Sequence, residues 1–298
     1  MRVAVIDLGT NTFNLLVADL HSTGFEVVCN SKEGVALGMG GINRGVISVA
    51  AKERAFAAIT KFREICNALS VSSIVGIGTS AVRDAQNNGE FILEVKERFD
   101  IDIEIVDGLE EARLIYQGVS WSCEFDQTSL IMDIGGGSTE FIRVETGKEL
   151  EFFSANIGVS RAVQLFDLKD PLSMEDQKEL LAWFEENSEG IQRFNPCKIL
   201  VGASGSFETF YEMVQRKEFP KFSENIRISK EELIKTLDWI IGSTSEERKN
   251  HPFIIPIRRK MAPVAALKTK WIMEKFGVRE VVISPYSLKE GVLRRFFR

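Results

Sequence analysis

With 298 residues, 44% of them hydrophobic and 27% charged, the chain is long enough for a large buried core and reads most naturally as two folded domains. A formal net charge of −6 gives no global pull toward nucleic acid or an anionic membrane, so a polyanionic ligand would have to be held by a local basic patch. No apolar run approaches membrane-spanning length and no basic leader precedes the first strand, so the sequence predicts a cytoplasmic protein with neither a membrane nor a nucleic-acid partner.

In chain order, residues 3–7, 14–20 and 25–31 are β-branched or apolar runs separated by turn chemistry, which predicts an antiparallel meander. Residues 48–69 place Ala51, Ala55, Ala58, Ile59, Phe62, Ile65 and Leu69 at helical spacing. Strand and helix then alternate through "SIVGIGTS", "NNGEFILEVKERFD", "IDIEIVD" and "GLEEARLIYQGVSW", so the first part reads βββαβαβα. From residue 128 the pattern starts again with three strands, helices near 158–167 and 174–189, strand "KILVGAS" and a helix at 205–217. Helical stretches at 230–241 and 257–276, strand "EVVISP" and a helix from Leu288 complete it. The repeat predicts domains at 1–124 and 125–298. Cys29, Cys66, Cys123 and Cys197 lie far apart without CxxC pairing, which predicts buried thiols rather than zinc or disulfides.

The two hairpin entries superimpose residue by residue: Asp7-Leu8-Gly9 on Asp133-Ile134-Gly135, Thr12 on Ser138, Asn14 on Glu140. A tight turn of Gly, Thr, Ser and Asn exposes backbone N–H groups and hydroxyls with little bulk, so an oxyanion can approach closely. Asp7 and Asp133 would repel that anion unless a divalent cation lay between, and Mg²⁺ prefers such hard oxygen ligands. Neither turn is a Walker loop or a dinucleotide-binding fingerprint.

The segments "VIDLGTNTFNLL" and "LIMDIGGGSTEF" resemble the phosphate motifs of the actin, Hsp70 and sugar-kinase ATPase superfamily. With "GTSAVRDAQN", "VDGLEEARLIYQGV" and "PYSLKEGVL" in order, the chain resembles the exopolyphosphatase/guanosine pentaphosphate phosphatase (Ppx/GppA) family over essentially its whole length. The resemblance implies an α/β fold of two ribonuclease-H-like domains, each a mixed five-stranded sheet with helices, facing across a cleft. It implies that Glu111 orients or deprotonates an attacking water, with Glu110 structural, and that Arg83 binds substrate phosphate. It implies phosphate contacts from Gly9, Thr10, Asn11, Thr12 and Asn14 in one turn and from Gly135, Gly136, Gly137 and Ser138 in the other. Asp7, Asp133 and Glu140 would hold or position Mg²⁺ or another divalent cation. Many members carry Arg or His where this chain has Asn14, so one cationic phosphate contact is expected to be missing.

The expected reaction is release of terminal phosphate from inorganic polyphosphate by direct water attack, since no serine or cysteine nucleophile with a base is evident. The same chemistry on guanosine pentaphosphate, and a non-catalytic actin-like nucleotide-binding protein, are the alternatives, and a homodimer stays open. The loop "LVGASGSFETF" occupies the place of the superfamily's nucleotide-contacting glycine loop, and the basic groups 258–260 and 294–298 read as solvated faces or as steering charge.

Overall fold

The structure is a computed structural model describing residues 1–220 and 225–297. Arg298, the last of the terminal basic group, lies outside these residues. The expected meander forms as β1 (Arg2–Leu8), β2 (Thr12–Leu20) and β3 (Phe25–Gly34), each rich in the branched and aromatic residues that suit a pleated, half-buried surface. Helix α1 (Val49–Ala68) starts where the Ser48 side chain accepts from Ala51 N–H, and buries Ala51, Ala55, Phe56, Ala58, Ile59 and Phe62. Then come β4 (Ser73–Gly78), a single-turn α2 (Ser80–Arg83), α3 (Asn88–Phe99), β5 (Ile103–Ile105) and α4 (Gly108–Val119).

The second series is β6 (Ser129–Ile134), β7 (Thr139–Val144), β8 (Glu151–Ala155), α5 (Val159–Leu165), α6 (Met174–Glu186), β9 (Ile199–Ala203) and α7 (Gly205–Gln215). It ends with β10 (Ile226–Ile228), α8 (Lys230–Gly242), α9 (Ser245–Asn250), α10 (Ala262–Lys275), β11 (Glu280–Ile283) and α11 (Leu288–Leu293). The helix expected over 257–276 begins only at Ala262, after a 3₁₀ turn at Pro256–Arg258. Pro263 explains the delay, since a proline fits the first turn of a helix but clashes with a carbonyl four residues earlier.

The strand orders are β3-β2-β1-β4-β5 and β10-β11-β9-β6-β7-β8. The two sheets share one topology, with the first three strands antiparallel and the next two parallel to the first. The second sheet has six strands rather than the expected five, because the three-residue β10 adds to the edge of β11. Between β2 and β3 the register shifts by one residue at Val17/Ala18.

One apolar core backs each sheet, and a third lies between them, where Val3, Val5 and Leu16 of the first sheet and Ile131, Ile142 and Val201 of the second enclose α4 and α11. The two helices cross at Gly118 and Gly291, where a Cβ would come within 1.8 Å of the Ser287 and Leu114 carbonyl oxygens respectively. Any larger residue there would force the helices apart. Burying both faces of each sheet fixes the carboxyl ends of β1, β4, β6 and β9 around one opening, the place where open α/β sheets bind ligands. The four cysteines are unpaired, with Cys29 half-buried and the rest buried, as expected. Among the described residues no helix is long and apolar enough to cross a membrane.

Candidate active site

A cavity of about 810 Å³ opens between the two sheets. Asp7, Gly9, Thr10, Asn11, Thr12 and Asn14 of the first turn line it, as do Asp133 and Gly135, Gly136, Gly137 and Ser138 of the second, and Glu111 from the first turn of α4. Along one edge the second turn meets the first turn and α2: a Cβ on Gly136 would stand 2.7 Å from Asn11 Nδ2, and one on Gly137 2.2 Å from Ser80 Oγ. Glycine is required at both positions for this approach.

Strand register sets the polar rows behind the turns. Asp7 lies directly opposite Asn14, and Asn14 opposite Lys32, so the three share one face of the first sheet. In the second sheet Asp133, Glu140 and Ser154 form the equivalent row. Antiparallel pairing thus brings Glu140 beside Asp133, although seven residues separate them. Asn14 Nδ2 donates to Asp7 Oδ2 at 2.9 Å, Ser287 Oγ to Asp133 Oδ2 at 2.6 Å, and Ser154 Oγ to Glu140 Oε1 at 2.8 Å.

These carboxyls are buried and lie within one another's electrostatic reach. Burial pushes Asp7 up to about 6, against the Asn14 hydrogen bond and the Lys289 charge. Burial pushes Asp133 up to about 8, helped by the charges of Glu111 and Asp7 and opposed by Ser287. Glu140 is raised by burial and by Asp133, and Glu111 well above the usual carboxylate range by burial and by Glu140, despite Arg83. Four acids that each disfavour the others' charge are a site in need of a cation.

The divalent ion implied by the sequence was tested on these donors. Among the described residues no three His, Cys, Asp or Glu side chains converge closely enough to hold a metal by themselves, so Asp7, Asp133 and Glu140 do not form a three-carboxylate cage. Their hydrogen bonds come from neutral groups, and hard oxygen donors of this kind fit a Mg²⁺ that takes one or two carboxylates and completes its shell with water and substrate phosphate.

Arg83 stands differently from its expected place. Its guanidinium is engaged by Glu111 Oε2 at 2.8 Å, by the Val106 carbonyl at 3.1 Å and by Asp84 at 3.3 Å, and it does not line the cavity. In this arrangement its Nη1 holds Glu111 from behind the cavity wall. Glu111 itself is buried at the start of α4, where Asp107 caps Leu109 and Glu110 N–H. Glu110 points elsewhere and pairs with Arg295 at 2.9 Å, in keeping with a structural part.

Several residues of the site carry no sequence signal of their own. Arg161 of α5 crosses to the first half of the chain, donating to the Gly137 and Ile42 carbonyls and pairing with Asp84. Buried Lys268 of α10 donates to Thr139 Oγ1 at 2.9 Å and to the Ile157 carbonyl, bracing the strand that leaves the second turn. Ser287 and Lys289 lie in "PYSLKEGVL", so that segment marked their place without assigning either a contact. Lys32 sits in a strand where an isolated charge reads as an edge device.

Two sheets of this order facing across a cavity with paired glycine turns define an α/β protein of the actin-like, ribonuclease-H-like fold class. The sequence matches the Ppx/GppA phosphatase family over residues 16–297, and the chain belongs to that family. It is similar to the crystal structure of an exopolyphosphatase from Cytophaga hutchinsonii, with 34% identity and a TM-score of 0.94, covering 100% of this chain and 98% of that one. A Ppx/GppA family member from Aquifex aeolicus shares the fold at 23% identity and a TM-score of 0.82, covering 99% of this chain and 97% of that one.

Proposed function

We propose that the protein removes terminal phosphate from inorganic polyphosphate by direct attack of water at the cavity between the two glycine turns. The observation that carries this reading is the Arg83–Glu111 pair at the cavity wall, next to the carboxylates behind both turns. A hydrogen bond from Arg83 Nη1 orients Glu111, and burial together with the Glu140 charge raises its proton affinity, which favours its acting as the acceptor of a proton from water. Backbone N–H groups of residues 9–12 and 135–138, in the turns that line the cavity, would take up charge spreading over the phosphoryl oxygens. Mg²⁺ held by Asp7 or Asp133, with Glu140 behind, would neutralise charge shared with the substrate. Arg83 acts through Glu111 as a positioning residue.

The nucleotide reading has its own support. Phe210, Phe219, Phe253, Ile255 and Ile257 also line the cavity, and apolar surface of this kind suits an aromatic base as on guanosine pentaphosphate. Family membership and the buried acid cluster weigh against a non-catalytic nucleotide binder. A cytoplasmic location, the 1–124/125–298 domain division and a homodimer remain parts of this proposal.

The experiment is orthophosphate release from tripolyphosphate, long polyphosphate and guanosine pentaphosphate, with and without Mg²⁺, by the native protein and Glu111→Gln. Release from polyphosphate that falls about 100- to 10,000-fold in the variant is expected. Near-native release by Glu111→Gln removes the mechanism, and exclusive action on the nucleotide replaces the substrate.

A further inference from the structure

Among the described residues lining the cavity, Lys32, Arg258 and Lys289 are the cations, and carboxylates outnumber them. Lys289 is matched by its neighbour Glu290 at 2.8 Å. Lys32 and Arg258 instead share one acid: Glu208 Oε2 accepts from Lys32 Nζ and from Arg258 Nη2, each at 3.1 Å. The three side chains come from β3, from α7 and from the 3₁₀ turn before α10, so both halves of the chain contribute. Glu208 is the one carboxylate ion-paired to both cations among the described residues; Glu212, which accepts from Phe219 N–H at 3.1 Å, is a further acid in their field without an ion pair to either.

We propose that Lys32 and Arg258 form a second anion subsite, which takes a phosphate distal to the one held by the glycine turns, with Glu208 as the resident counter-ion that the phosphate displaces. The inference rests on the phosphate-binding reading of the turns given above. Lys32 occupies the row of Asp7 and Asn14 two strands over, about 10 Å from Asp7 across the sheet, so a lone orthophosphate in the turn cannot span to it while an extended phosphate chain can. Gly205 permits the arrangement, because a Cβ there would stand 1.8 Å from Arg258 Nη2. Arg258 is also fixed by Thr209 Oγ1 at 2.6 Å, which leaves its fork pre-oriented.

The charges within the cluster agree with a vacated anion seat. Glu208 is drawn down to about 2, since attraction from Lys32 and Arg258 overcomes its burial. Lys32 is nevertheless lowered, because burial and repulsion from Arg258 together outweigh Glu208. The two cations share a single ion-pairing oxygen, Glu208 Oε2, and a phosphate can offer each its own charged acceptor.

Calorimetric titration of the native protein with tripolyphosphate and with orthophosphate, in Mg²⁺ buffer, tests the subsite without requiring turnover. Lys32→Met and Arg258→Met are each expected to weaken tripolyphosphate binding about tenfold, the loss of one charged hydrogen bond, while orthophosphate binding changes by less than about twofold. Lys32→Arg should restore tripolyphosphate binding, and Glu208→Gln should strengthen it. Unchanged tripolyphosphate binding in both methionine variants, equal losses for the two ligands, or no binding by the native protein overturns the subsite. Native binding that depends on Lys32 without any orthophosphate release would sink the hydrolytic reading and leave the subsite standing.

Discussion

Behind the first glycine turn the row across the sheet runs Asp7, Asn14, Lys32; behind the second it runs Asp133, Glu140, Ser154. The strand order and register are shared, and each row begins with an aspartate followed by a glycine. The first row pairs its acid with an amide and ends on a cation. The second places two acids side by side and ends on a hydroxyl, and it is Glu140 whose charge bears most on Glu111. A duplicated scaffold has thus been divided into a side suited to anions and a side suited to a metal and a proton acceptor. Equal backbones do not imply equal chemistry when the rows carry Asn14 and Lys32 on one side and Glu140 and Ser154 on the other.

The largest expected effect tests the acidic side. Glu111→Gln should lower phosphate release by about 100- to 10,000-fold, with tripolyphosphate affinity within about threefold of native by calorimetry. Second, the turns themselves should be equivalent. A Cβ at Gly9 would meet the Thr12 carbonyl at 2.8 Å, and one at Gly135 the Ser138 carbonyl at 2.9 Å. Gly9→Ala and Gly135→Ala should therefore cost similar stability in urea denaturation, about 1–3 kcal/mol each. A large difference between them would break the structural half of the comparison.

Third, Asn14→Asp would turn the first row into a copy of the second by setting a carboxylate against Asp7. With Asp7 ionised above about 6, the variant should lose about 1–2 kcal/mol at pH 8 and less at pH 5. Mg²⁺ should recover part of the loss at pH 8.

The smallest effect is a difference in pH response. Asp133 keeps its proton in the folded state up to about pH 8, whereas an unfolded aspartate loses it near pH 4. Its contribution to stability is full below about pH 4 and is lost progressively as pH rises to about 8. For Asp7 the loss is complete near pH 6. In Mg²⁺-free buffer Asp133→Asn should flatten the fall in Tm between pH 6 and 8, by roughly 2–4 °C per kcal/mol, while Asp7→Asn leaves that window unchanged. Identical profiles for the two variants would show that the acids of the two rows are not distinguished by burial.

The turns and the meander around them were legible because Gly, Asp and Asn announce backbone geometry directly, and the second copy doubled that signal. The place of Glu111 followed from the motif. What could not be read was contact across the sequence. Nothing in "SAVRDA" reveals that Glu111, 28 residues on, will pair with Arg83 Nη1 at 2.8 Å. Arg161 and Lys268 meet the second turn from helices whose own patterns record only an apolar face. Strand β10 was too short to show periodicity, and α10 was overextended because apolar spacing continued through residues that Pro263 keeps out of the helix.

The register shift at Val17/Ala18 has an influence out of proportion to its size. From the hairpin, Leu20 opposes Phe25, and an unbroken ladder would set Ser31 opposite Asn14, sending Lys32 to the other face of the sheet. The extra residue in β3 acts as a phase shifter that brings the ammonium around to the cavity. Substrate range in such a scaffold can therefore drift by one-residue changes in an outer hairpin, while the turns, the acids and Glu111 stay untouched.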